Sequence, residues 1–123
     1  VAETYLRLLE ANPQDKVLAT KTRKALLGLL KCGNLFHVAM PRYWCYQGWY
    51  EWLKGKQRKA TVSWGKGLKL AEQLEMKYEA ALLYFLSGRF QASQMYLQRS
   101  AEGFESLKAK YDLEQARKLL AQI

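Results

Sequence analysis

The chain repeats itself at a spacing of 33 residues. KYEAALLYFLSGR begins at Lys77 and KYDLEQARKLLAQI begins at Lys110, so a lysine, a tyrosine and an acid return together ahead of an apolar run. Shifted by 33, the chain sets Gly55 on Gly88, Gly48 on Ala81, Ala60 on Ser93, Trp64 on Leu97, Gly67 on Ser100 and Tyr78 on Tyr111. Small residues meet small ones, and large apolar residues meet large ones. A period in the low thirties built of helix–turn–helix units indicates a solenoid, because one helix pair cannot bury both of its apolar faces and stacks on the next. Small residues let paired helices approach closely, and large ones fill the space between them.

The rest of the pattern is helical as well. β-branched residues are too scattered to form the alternating runs of strands. The predicted helices cover about 2–11, 15–32, 41–54, 57–75, 77–87, 90–109 and 112–122, which makes seven. Pro13 and Pro41 fall where helices stop or start. Gly33 with Asn34 is expected to end the second helix, and Gly55 and Gly88 to mark turns. Short connections predict antiparallel neighbours. The expected fold is all-α. Residues 1–40 form a degenerate helical pair, and residues 41–123 hold repeats at 41–75 and 77–109 and the opening of a third pair at 112–123.

The residues just aligned resemble the tetratricopeptide repeat. That family places a large aromatic early in its first helix and a small residue four later. Its second helix opens on a small residue, with an aromatic four later and another small residue three beyond. Trp44, Gly48, Ala60, Trp64 and Gly67 stand at those offsets, and Ala81, Tyr84, Gly88, Ser93, Leu97 and Ser100 follow in the next unit. The sequence departs from the family at Glu51, where tyrosine is preferred, and no proline closes either unit. The match covers about residues 41–122. The resemblance implies a short right-handed α-solenoid that serves protein–protein interaction.

A narrower likeness lies in PRYWCYQGWYEWLKGKQRKATVSWGKGLKLAEQLEMKYEAALLYFLSGR, with its L-x-G-[KR] turns and the linker around Met76, Tyr78 and Glu79. This run is similar to C-terminal helical repeats of multidomain signalling proteins, in which an adenylyl cyclase or kinase domain and a P-loop ATPase domain come first. It implies a regulatory or scaffold region whose chemistry lies in other domains. The opening VAETYLRLLEANP has acids, no long apolar centre and no Met, so a signal peptide is not expected and a cut from a longer protein is.

Charge is uneven. From Lys16 to Ala71 there are twelve Lys or Arg and one acid, Glu51, within a chain of net charge +9. A field of one sign favours acidic peptides, nucleic acid, anionic lipid or another domain. Lys59, Lys66 and Lys69 share a face of the fourth predicted helix, and Lys54, Lys56 and Arg58 join them around the turn. This basic surface is either a solvated face or a contact for an acidic partner, nucleic acid included. Aromatic residues interleave with Lys and Arg along 42–66, as single-strand binders require, but packing claims Trp44 and Trp64.

The resemblance also implies a concave groove lined by the first helix of each pair. Its ligand-contacting offsets fall on Arg42, Cys45, Trp49 and Trp52, then on Glu75, Tyr78, Leu82 and Phe85. A peptide or a neighbouring domain is the expected occupant. The other reading is that these aromatics bury against a neighbouring repeat or domain. The Lys, Asn and Arg clamp that some relatives use on a peptide carboxylate is not expected in so aromatic a groove.

Signals for chemistry are weak. Ser63-Trp64-Gly65-Lys66-Gly67 lacks the GxxxxGK[ST] spacing of a phosphate loop and lies inside a predicted helix. Glu72 with Glu75 and Glu102 with Glu105 are three apart on helices, with nothing to desolvate them. Cys32, Cys45 and the single His37 do not have zinc-site spacing. Reduced thiols in a cytoplasmic protein are expected, and His37 is expected to be a packing or loop residue. No run of apolar residues is long enough to span a membrane. No enzyme activity, catalytic residue, metal or cofactor is expected of this chain.

Overall fold

The computed structural model describes residues 2–122. All the secondary structure among them is helical: seven α-helices, one short 3-10 turn and no strand. The helices are α1 (Ala2–Ala11), α2 (Lys16–Leu35), α3 (Met40–Leu53), α4 (Gln57–Gln73), α5 (Lys77–Gln91), α6 (Gln94–Ser106) and α7 (Lys110–Gln122), with the 3-10 turn at His37–Ala39. Two compact units result, one ending at Lys66 and the other starting at Gly67.

Local chemistry sets the helix starts. Asp15 caps α2, its Oδ1 accepting from the Leu18 amide at 3.0 Å, which satisfies one of the donors a helix start leaves free. Pro41 sits in the first turn of α3, where its missing N–H costs nothing. Ser93 caps α6 through the Tyr96 amide at 3.3 Å.

Two expected stops are corrected. α2 runs through Gly33 and Asn34 to Leu35. Gly33 is buried, and a Cβ there would lie 2.2 Å from the Met40 sulfur, so the glycine serves close approach to the start of α3. Gly88 likewise lies inside α5, which continues to Gln91. A Cβ on Gly88 would come within 2.9 Å of the Leu97 backbone nitrogen and Cγ.

The four turns from α3 to α7 share one hydrogen-bond pattern. Amides of Lys56, Met76, Ser93 and Ala109 donate to the carbonyls of Glu51, Ala71, Gly88 and Phe104, at 2.8–2.9 Å. The residue before each donor is left-handed: Gly55, Glu75, Ala92 and Lys108, with φ of 79, 56, 52 and 58°. This is the Schellman closure of a helix. Each donor also opens the next helix, its carbonyl accepting from Ala60, Ala80, Leu97 or Leu113. Gly55 alone matches the residue type that this conformation favours.

In the first unit α1, α2 and α3 pack on one another. Leu6 and Leu9 of α1, Ala19, Thr22 and Leu26 of α2, and Tyr46 and Trp49 of α3 are buried. The Trp49 indole N–H donates to Glu10 Oε1 at 3.1 Å, tying α3 to α1. An adjoining side of α3 meets Trp64 of α4. A Cβ on Gly48 would fall 2.4 Å from Trp64 Nε1, and that indole N–H donates to the Cys45 carbonyl at 3.0 Å. In the second unit α6 packs on both α5 and α7. Phe104 centres that core with Ala81 and Ala116, and Tyr78, Phe85, Ala101, Ala109 and Leu113 pack around it.

Candidate functional site

The two surfaces that the sequence singles out have different fates. Arg42, Cys45, Trp49 and Trp52 share one side of α3, as their spacing requires, but that side is largely filled. Cys45 is 1% exposed and Trp49 3%. Trp52 is half-buried and stacks on Trp64, ring centroids 5.9 Å apart. Half-buried Arg42 donates to the Tyr46 hydroxyl at 3.3 Å.

The corresponding residues of α5 behave alike. Tyr78 and Phe85 pack on the Phe104 ring at 5.8 and 6.3 Å. The Tyr78 hydroxyl donates to Asp112 Oδ2 at 3.1 Å. Leu82 is half-buried, and Glu75 is exposed at the left-handed turn. At Cys45, Trp49, Tyr78 and Phe85, then, the aromatic side of each helix serves internal packing. Large rings on a helix face supply the area that holds neighbours together.

The basic surface is open. Lys54, Lys56, Arg58, Lys59 and Lys66 of the first unit are all exposed, as is Lys69 beyond the boundary in the second. Lys66 Nζ lies 5.0 Å from the centre of the Trp44 ring and Lys54 Nζ 5.9 Å from that of Tyr50, so two of the cations rest on aromatic faces. The acid nearest in sequence, Glu51, is engaged by the Ser63 hydroxyl, which donates to it.

The basic turn has a structural origin. α4 has 17 residues and α6 has 13, a difference of about one helical turn. Measured from their C-terminal ends, the two helices keep the period of 33, from Gln73 to Ser106. Measured from their starts the spacing is 37, from Gln57 to Gln94. The additional turn of α4 is Gln57-Arg58-Lys59-Ala60, so it adds two of the cations.

Tyr43, Tyr46 and Tyr50 of α3 all have phenols pushed above their ordinary range. Burial is the main cause in each, with Glu51 adding to it at Tyr43. Arg42 opposes the rise at Tyr46 and Arg23 opposes it at Tyr50.

His37 is exposed in the 3-10 turn. Cys32 is an exposed free thiol and Cys45 a buried one. Among the described residues no cluster of three or more His, Cys, Asp or Glu could hold a metal ion. No helix among them is long and apolar enough to cross a membrane.

Sequence reasoning passed over the outward side of α2. Lys21, Lys24 and Lys31 are exposed there, opposite buried Ala19, Thr22, Leu26 and Gly33. The signal was present, since no acid occurs from Lys16 to Tyr50. Comparison with family models, with curated proteins and with solved structures gives no match.

Proposed function

We propose that this chain is a TPR-like interaction module, a short right-handed solenoid of antiparallel helix pairs in a cytoplasmic signalling protein. It holds an acidic protein segment, or an acidic neighbouring domain, against the basic turn between α3 and α4. Two features support the architecture. The same closure recurs at four successive turns. Contacts between α5 and α6 also run in opposite order along the two helices: Ala81 with Gly103, then Gly88 with Leu97. The chemistry of a signalling parent would belong to other domains, and this module would position or regulate them.

The observation that carries the docking surface is the exposure of Lys54, Lys56, Arg58, Lys59 and Lys66 with no carboxylate among the described residues engaging them. Their field attracts an acidic segment and raises its rate of encounter. The side of α3 that bears Cys45 and Trp49 is the weaker candidate, because a ligand would have to displace core residues to reach them.

The test is titration of a fluorescent glutamate-rich peptide and, separately, a single-stranded oligonucleotide. Replacing Lys56, Arg58 and Lys59 by Gln is expected to weaken peptide binding by on the order of ten-fold or more. Unchanged affinity in that variant would remove the basic turn as the site. Tighter binding of the oligonucleotide, with the steep log-linear salt dependence of counterion release, would make nucleic acid the partner.

A further inference from the structure

α2 has twenty residues, of which five are Lys or Arg and none is acidic. At about 1.5 Å per residue the helix is roughly 30 Å long. Its buried residues fall on one side, so Lys21, Lys24 and Lys31 line the other, spaced three and seven apart. Gly28 sits among them, and a Cβ there would touch nothing within 4 Å. Where α2 ends, the chain exposes three apolar side chains almost in succession: Leu35 (79%), Phe36 (63%) and Val38 (62%). Val17, near the other end, is also exposed.

We propose that this side of α2, with the Leu35–Val38 tip, is a peripheral contact for an anionic lipid surface. Two observations favour a bilayer over an acidic protein helix. The exposed apolar residues of α2 itself, Val17, Leu27 and Leu35, stand eight to ten residues apart and form no continuous seam, so they offer no row of sockets for a partner's side chains. A fluid interface needs none. The tip is also compact, runs from the last residue of α2 into the 3-10 turn and adjoins a cationic stripe, so its side chains can enter the headgroup region while the lysines meet lipid charge. Neither half suffices alone, since stable anchoring takes two signals, here a cationic stripe and an apolar insertion. This inference is independent of the acidic-partner reading, which uses the turn between α3 and α4.

The test is co-sedimentation with large vesicles, made either of phosphatidylcholine alone or with about one third phosphatidylserine. The chain is expected to partition onto the anionic vesicles and to leave the neutral ones unbound. Changing Lys21, Lys24 and Lys31 to Gln should reduce partitioning about five-fold per lysine, on the order of 100-fold together. Lys56→Gln with Arg58→Gln and Lys59→Gln should retain most of the binding. Leu35→Ser with Phe36→Ser should lose on the order of ten-fold at a salt concentration that screens the lysines. These side chains lie outside the core, and far-ultraviolet circular dichroism verifies that each variant stays helical. The proposal is overturned if the chain ignores anionic vesicles, binds neutral ones equally well, or binds undiminished after the α2 substitutions. It is also overturned if a glutamate-rich peptide, and not lipid, responds to those substitutions, which would make α2 a protein-docking face.

Discussion

The α3–α4 turn of the first unit closes as the three turns of the second unit do, and the two units differ in what they carry. Up to Lys66 the chain has twelve Lys or Arg and four acids; from Gly67 it has eight and seven. All four tryptophans, Trp44, Trp49, Trp52 and Trp64, lie in the first unit. The first unit sets Met40 on Gly33 and an indole on Gly48, whereas the second unit sets Leu97 on Gly88 and Ala81 on Gly103. One turn chemistry thus occurs in a tryptophan-rich, cationic unit and in a nearly neutral one whose rings are all Phe or Tyr. The turns fix the architecture, and the side chains between them are free to set the surface.

The most severe way to break this comparison is to remove the ring that fills the first joint. Trp64→Ala should cost about 3–5 kcal/mol and also lose the bond to the Cys45 carbonyl, as read by urea denaturation. A loss of less than about 1 kcal/mol would mean that the first unit does not depend on that joint. Overpacking comes next. Gly48→Leu and Gly88→Leu should each cost about 1–3 kcal/mol. Gly88→Leu should be the worse tolerated, because the new side chain meets backbone at Leu97, whereas at Gly48 it meets a side chain. The reverse order would place the tighter joint in the first unit.

Alkali should separate the units by charge chemistry. Tyr43, Tyr46 and Tyr50 keep their protons in the folded state at pH values where the unfolded chain loses them. The folded state binds more protons there, so stability falls as pH rises through the ordinary phenol range, near pH 10. Denaturation midpoints measured on either side of that range should show the drop, and Tyr43→Phe with Tyr50→Phe should flatten it.

The smallest effects belong to the turns. Ala92→Gly should add about 0.5–1 kcal/mol by relieving a left-handed alanine, and Gly55→Ala should remove about as much. Equal stability in both variants would mean that the two closures are not equivalent.

Glycine explains much of what was legible in the sequence and what was not. A glycine can relieve a left-handed backbone, as at Gly55, or let two helices touch, as at Gly33 and Gly88. The letter is the same in both roles, so two contact residues read as stops. The converse also held. Glu75, Ala92 and Lys108 are left-handed without glycine, so nothing in their type marks those turns. The helical class, the Pro41 start and the buried small and large residues were legible, because periodicity reports burial directly.

Periodicity does not say what covers a helix face. Offsets alone therefore could not tell an open groove at Trp49 from a packed core. The cations at 54–59 were legible as a cluster because they are contiguous. Those of α2 are spread over a helix, and only its orientation shows that Lys21, Lys24 and Lys31 face outward together.

Each of the four turns from α3 to α7 has a single left-handed residue, and the amide that closes one helix belongs to the residue that opens the next. Such a joint has no slack. One residue inserted there would rotate everything downstream by about 100° about the helix axis and turn buried side chains outward. Length can change without penalty to the phase only in steps of about a full turn, and α4 differs from α6 by such a step. A block of four residues lost from the start of α4 would keep that phase but slide Trp64 about 6 Å along α3, away from Gly48 and Cys45, so the joint that Trp64 fills holds the length of α4 and with it the place of Arg58 and Lys59.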